Sequence, residues 1–406
     1  MSRRRKPARP DQRSEGEKGR RSSVRKKDVY SYLLKSGFWG LALTMMTLGA
    51  IAQKGREKVL LGFENVHQDT SAKVVSYEQR LFRNPYDGFM GLRYALGDTA
   101  GRQAYVPMIQ GVPFAMYLQK NRTVTLTSLE EAYQRKMGVK QWFPFKDYKF
   151  DFWLQPQFIA NFGNFNNPVE SKTNILLNTQ LNLSRGLVLN TGVVFPLIND
   201  IDSQPLKVRL APTYLNKFAV LSTHNFISAS AGFFYSDQYG VNVQYRHSNL
   251  NKPWSYGFEW AYSGYYRFVP GYLEYAKPSH LVLLADIAYR MNKHDISFKL
   301  SGGQYMHNDR GARIDMIRQF TRVEIAFFGL MTTNGTTIGF NFAIPIPPGN
   351  IIQGKRARLR TTDEFRWEYI YTRGNKIGEK FRLNYQLDEK LRQYHQSYWQ
   401  NQAKRF

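Results

Sequence analysis

Beyond Lys146 the sequence alternates with a period of two, segment after segment, nearly to its end. Phe150, Phe152, Leu154 and Phe158 alternate with Asp151, Trp153, Gln155 and Gln157. Ile175, Leu177, Leu181 and Leu183 alternate with Asn174, Asn178, Gln180 and Asn182. The same pattern runs through Val241–Arg246, Ser255–Tyr262, Thr337–Ile344 and Glu364–Tyr371. A strand sends successive side chains to opposite faces, so each segment has one apolar, aromatic-rich face and one polar, amide-rich face. A water-soluble sandwich can use such strands, and so can a barrel with lipid outside and water inside. The number of segments, the aromatics at their ends and the turn signals Ser184-Arg185-Gly186, Gln238-Tyr239-Gly240 and Thr333-Asn334-Gly335 favour the barrel. The expected fold is mainly β: a single outer-membrane antiparallel β-barrel of about 12–14 strands over residues 146–387, preceded by a small periplasmic α/β domain.

The N-terminal region agrees with export. Residues 1–35 form a basic leader with 13 Lys/Arg and 4 Asp/Glu, expected to be disordered. Residues 36–52 carry an apolar run ending in Ala50-Ile51-Ala52, the small-residue pattern of a signal-peptide cleavage site. The uninterrupted apolar part, Gly37–Ala52, is shorter than the roughly 20 residues of a membrane-spanning helix. A single-pass anchor with a cytoplasmic tail is the competing reading. Of the net charge of +26, the leader accounts for +9 (13 − 4) and the rest of the chain for +17. Export argues against nucleic acid, and an exported cationic surface suits an acidic polysaccharide or lipopolysaccharide phosphate. Cysteine is absent, so no disulfide holds the fold and no thiol chemistry is available.

Residues 53–145 mix short strands at Val59–Phe63, Lys73–Tyr77 and Val112–Tyr117 with helical spacing at Pro85–Tyr94 and an S-x-x-E capping box at Ser128/Glu131. Segments 199–205, 268–277 and 308–311 are candidate extracellular loops. The proline-rich stretch 346–360 reads as a loop or a plug. Residues 388–406 read as a C-terminal polar extension.

Several stretches resemble a known family. Gly62-Phe63-Glu64-Asn65-Val66 and Val75–Pro85 are similar to the small domain of YjbH-type proteins. Asn308–Phe320 and Thr336–Pro345 resemble strands of the same family's barrel. The resemblance spans roughly 57–385, and it implies an outer-membrane β-barrel of a Gram-negative cell that serves extracellular polysaccharide export as conduit or docking component. Longer members carry two consecutive barrel units and this chain resembles the second half. The implied partners are outer-membrane lipids, a polysaccharide, and a periplasmic export protein or second barrel subunit.

Catalytic signatures are thin. The seven His stand in no metal-binding spacing, and no nucleophile motif occurs. The expectation is a non-enzyme without cofactor or metal. The alternatives are a lipid-modifying enzyme, using His224 with Ser228 or His280 with Asp286, and a structural barrel anchoring a surface complex. Arg209, Arg246, Glu259, Asp286, Lys299, Arg313, Asp315, Arg322, Glu324 and Arg366 fall on polar strand faces. They are the candidate lining of a lumen, as a selective ring for a passing polymer or as an interlocked network that plugs it. Trp153, Tyr235 and Trp254 are placed near the mouths, for sugar stacking or for membrane anchoring.

Overall fold

The computed structural model describes residues 58–405 apart from 71–72, 99–102, 121–122, 128–149, 163–168, 203, 270–271, 348, 371–376, 382 and 384–385. The leader, the expected cleavage site Ala50/Ala52 and the Ser128/Glu131 box lie outside the described residues. The described chain is mainly β and forms two sheets.

The smaller sheet contains β1 (Phe63–Asp69), β2 (Val74–Gln79), β3 (Ala104–Ile109), β4 (Val112–Pro113), β5 (Met116–Lys120) and β6 (Thr123–Thr127), with β2 and β3 parallel. Helix α1 (Pro85–Leu96) crosses between β2 and β3. Its start is dictated locally: the Asn84 side chain accepts from the Tyr86 amide at 3.1 Å, and Pro85 occupies the first turn, where no amide is needed. Gly97, left-handed at φ 71°, ends it.

The larger sheet begins with β7 (Phe150–Phe162), β8 (Val169–Ser184), β9 (Leu187–Asn199), β10 (Arg209–Leu210), β11 (Tyr214–Ser222), β12 (Asn225–Phe234) and β13 (Gln238–Ser248). It continues through β14 (Trp254–Val269), β15 (Tyr272–Tyr275), β16 (His280–Met291), β17 (Ile296–Gln304), β18 (Arg310–Gln319), β19 (Glu324–Thr332) and β20 (Gly335–Ile344). The last members are β21 (Ile351–Gln353), β22 (Ala357–Thr361) and β23 (Phe365–Ile370). Neighbours in sequence pair antiparallel from β7 to β20, with β10 and β15 as short side pairings on β9 and β14. The pairings then come full circle through one stretch of chain. β23 pairs antiparallel with β20, while β22, just before it, pairs parallel with β7. Residues 346–360 are thus not merely a loop or plug. Asp151 at the foot of β7 accepts from Arg358 and Arg360, and this clamp holds β22 in the sheet.

The turns between strands alternate between two ends. The near end carries 185–186, 223–224, 249–253, 292–295 and 320–323; the far end carries 200–208, 235–237, 305–309 and 333–334. At the near end Gly186 is left-handed at φ 70°, and a Cβ there would lie 2.3 Å from the Phe218 carbonyl oxygen. Its amide donates to Gln110 of the small sheet at 2.8 Å. The expected turn at Gln238-Tyr239-Gly240 is instead formed by Ser236 and Asp237, both left-handed, and residues 238–240 open β13.

On the large sheet the apolar face is the exposed one. Ile338, Ile314, Phe327 and Trp254 are 69%, 57%, 56% and 56% exposed on the outer face, while Arg246, Asp315 and Glu324 are buried on the inner one. Among the described residues no helix is long and apolar enough to cross a membrane.

Two helices follow the large sheet: α2 (Leu387–Arg392) and α3 (Gln396–Ala403). They are not an extension. Trp399 of α3 is fully buried and stacks on Tyr117 of β5 at 3.8 Å, with Phe89 of α1 at 5.2 Å and Tyr86 at 6.0 Å. The last helix therefore completes the core of the small sheet. Trp399→Ala should lower stability by about 3–5 kcal/mol, read as a lower urea midpoint in detergent micelles. An unchanged midpoint would contradict a shared core.

Candidate functional site

The inner face of the large sheet differs around its circumference. Strands β7–β13 present mostly amides and hydroxyls. Asn174 donates to Gln157 at 2.7 Å, Asn178 to Gln155 at 3.0 Å, and Asn216 to Ser228 and Ser230 at 2.9 Å each. From β13 to β23 the face is ionic. Arg246 pairs with Asp286, Arg313 bridges Asp315 at 2.8 Å and Glu368 at 3.0 Å, and Arg366 pairs with Glu324 at 2.8 Å.

Into this charged half comes the C-terminal segment. β23 runs toward the far rim, and at that rim the Gly378 amide donates to Asp309 Oδ2 at 2.7 Å. Ile377, Phe381 and Leu383 pack with Tyr214, Phe234, Tyr305 and Leu330, and Phe381 stacks on Phe234 at 4.9 Å. Deeper inside, Lys380 meets Glu259 at 3.3 Å and the Leu387 amide donates to Gln244 Oε1 at 2.8 Å. In α2, Asp388 pairs with Lys299 at 2.9 Å and Arg246 at 3.4 Å, Glu389 with Arg366 at 3.2 Å, and Arg392 with Glu324 at 3.0 Å. At the near rim the Gln396 amide donates to the Leu250 carbonyl at 2.8 Å and Tyr398 Oη to that of Phe320 at 2.9 Å. The segment thus runs along the interior from one rim to the other.

Eight of the ten sequence-derived residues, Arg246, Glu259, Asp286, Lys299, Arg313, Asp315, Glu324 and Arg366, line one cavity with α2. Its volume is about 100 Å³, room for a few waters and nothing larger. The other two lie elsewhere. Arg322 sits on the near turn between β18 and β19, bonded to Asp87 of α1 at 3.0 Å, because its polar segment is a turn and not a strand. Arg209 opens the two-residue β10 and reaches back to the Pro205 carbonyl at 3.5 Å at the far rim. Missing from the sequence-derived set are Lys380, Asp388, Glu389 and Arg392. The helical spacing of Leu387 with Leu391 and of Asp388 with Arg392 is the signal that could have found them.

Trp153 and Tyr235 are buried, whereas Trp254 is exposed on the outer face beside Tyr289. The imagined catalytic pairs do not meet. His224 lies on a rim turn beside His247, while Ser228 is buried against Asn216. His280 and Asp286 stand six positions apart on β16, roughly 20 Å along a strand. Among the described residues no group of three or more metal-ligating side chains could hold an ion.

Glu324 is the most enclosed of the interior charges, 0% exposed, between Arg366, Arg392 and, at 3.9 Å, Arg83. Glu324→Gln removes the carboxylate that three cations share, leaving Arg83 and Arg366 to Glu364 and Arg392 to Asp388, and should cost about 3–5 kcal/mol, measured as a shift in urea midpoint. An unaltered midpoint would mean the cluster is not held as described.

His395, just before α3, is held neutral. Its Nε2 lies 3.0 Å from the Lys252 carbonyl, to which it donates, and its Nδ1 accepts from the Ser397 amide at 3.2 Å. Burial, then the neighbouring Arg290, pushes its pKa down to about 3. Between that value and the unfolded value of about 6.5 only the unfolded chain binds the proton. This contribution to stability is therefore complete above pH 6.5 or so and falls by about 1.4 kcal/mol per pH unit below it. His395→Gln should flatten the acid limb of stability against pH relative to the parent. Parallel curves would refute it.

A family model described as exopolysaccharide biosynthesis protein YbjH matches residues 114–341. The match covers β5 to most of β20, including the stretch Asn308–Phe320 and the start of Thr336–Pro345; Gly62–Val66 and Val75–Pro85 precede it. No curated protein and no solved structure matches the chain.

Proposed function

The chain belongs to the YjbH family of exopolysaccharide biosynthesis proteins, and from that premise we propose that it acts in exopolysaccharide export as an outer-membrane β-barrel whose lumen is filled, at rest, by its own C-terminal segment. The observation that carries the membrane reading is the inverted sheet. A contiguous outer face bearing Ile314, Phe327 and Ile338 has no protein over it among the described residues, while the charges face inward. Lipid covers such a face at no hydration cost. The short near-end turns, with the small sheet beside them, belong on the periplasmic side.

A chain of sugar hydroxyls passing through needs hydrogen-bonding walls to replace its hydration, and the amide-rich half from β7 to β13 supplies them. At rest α2 occupies the ionic half, held by side chains that a partner or a polymer can re-pair. Removing the segment leaves Arg246, Lys299 and Arg366 still beside Asp286, Glu364 and Glu324, so the wall stays neutralised once vacated.

Reversing the charges of α2 tests this reading. In planar bilayers the parent should be mostly closed, and Asp388→Lys with Glu389→Lys should give long-lived open steps. Retention of the unboiled, fast-migrating gel form would verify that the variant is folded. Equal conductance in the two proteins would refute the plug, and recovery of the parent only as a soluble protein would refute the barrel.

A further inference from the structure

The two rims of the large sheet carry different surface charge. Among the described residues the exposed carboxylates are Asp200, Asp202 and Glu274, and all stand at the far end, where Lys207, Lys277 and Arg310 are also exposed. The near rim has the opposite character. Lys252, Lys293, Arg318, Lys355 and Arg356 are exposed there on turns or strand ends, Lys217 is exposed in mid-strand beside the turn 185–186, and none pairs with a described carboxylate. Their contacts do not neutralise them: Lys217 Nζ donates to the Arg185 carbonyl at 2.8 Å, and the Arg318 guanidinium lies 4.8 Å from the Phe320 ring centre.

The position of these cations matters as much as their sign. Just above Lys252 and Lys293, on the outer face, stand Trp254 and Tyr289, with ring centres 4.8 Å apart, and next to them the half-exposed Tyr256. Aromatic side chains of this kind seat at the boundary between hydrocarbon and headgroups. Cations two to four residues beyond them stand at the level of the lipid phosphates, with stems that lie along the apolar face.

We infer that the near rim is a docking surface for the phosphate groups of anionic glycerophospholipids, which hold this end of the sheet, and the small sheet beside it, against one membrane leaflet. The inference rests on the membrane reading above. It adds a lipid class and a side to it. The far rim, with its mixed charges, has no such preference.

The test uses the purified full chain in vesicles of phosphatidylethanolamine with and without phosphatidylglycerol, followed by native mass spectrometry of the lipids it retains. The parent should retain phosphatidylglycerol in preference. Replacing Lys252, Lys293 and Arg318 by Gln, singly and together, should lower that retention roughly fivefold per cation removed. The unboiled gel mobility should stay unchanged, which separates lost binding from lost folding. Equal retention of both lipids, or a preference untouched in the triple variant, would overturn the inference while leaving the barrel intact. Displacement of the lipid by inorganic phosphate would mark a free-anion site and overturn it too. Tighter retention of lipopolysaccharide, or capture of an acidic polysaccharide in place of lipid, would also overturn it. Failure to insert into either vesicle would sink the membrane reading itself.

Discussion

Charge enclosed by a sheet must be paired, and that requirement organises this structure. Glu324, Arg366, Arg246 and Asp315 stand on strand faces turned away from solvent, where an isolated ion costs several kcal/mol. Other wall residues neutralise part of the set: Arg313 with Asp315, Arg246 with Asp286. The remainder is supplied by α2, whose Asp388, Glu389 and Arg392 each meet an opposite charge on the wall. Buried pairs add little net stability over apolar packing, but breaking one is expensive. Their main effect here is positional. With two carboxylates followed by two cations along six residues, the helix fits the wall in one register, because a shift by one residue would set Lys390 against Arg366 in place of Glu389.

The same segment joins regions that would otherwise be separate. Its start is pinned at the far rim by Asp309 and by the stack of Phe381 on Phe234, and its end is buried in the small sheet through Trp399. Between these apolar anchors lies α2, held by ion pairs and hydrogen bonds as well as by the buried Leu387 and Leu391. Apolar anchors resist withdrawal in any ionic environment, whereas ion pairs exchange partners. A segment built this way can loosen at its centre while its ends stay in place. On the proposed reading, a pore opens by displacing α2 sideways or by releasing one anchor, and the small sheet feels the latter directly.

The alternation was readable because a strand has only two faces, so a correct phase sorts every residue on it. That is why Glu259, Lys299, Arg313 and Arg366, from four different strands, could be assigned to one interior without knowing which strands were neighbours. The reading failed where the chain is not a strand. Arg322 belongs to a turn, and turns obey no period. Gln238-Tyr239-Gly240 looked like a turn because of its glycine, yet Ser236 and Asp237 adopt the left-handed conformation there. Residues 346–360 looked unable to pair, but Arg358 and Arg360 reach Asp151 from far away in sequence. The C-terminal helices were missed because their residues are polar. Polarity implies solvent only if no charged interior is waiting for them.

From the sequence alone came the quantities that local chemistry sets: the strand period, the two faces, the helix between Asn84 and Gly97, and the family likeness now supported by the match over 114–341. These follow from backbone geometry and side-chain type within a few residues. Tertiary structure decided the rest. It paired β22 with β7, placed Trp399 in a core made by residues nearly three hundred positions earlier, and filled the charged interior with the chain's own end. Those outcomes depend on contacts distant in sequence, whose free energy exists only once the sheet has brought both partners together.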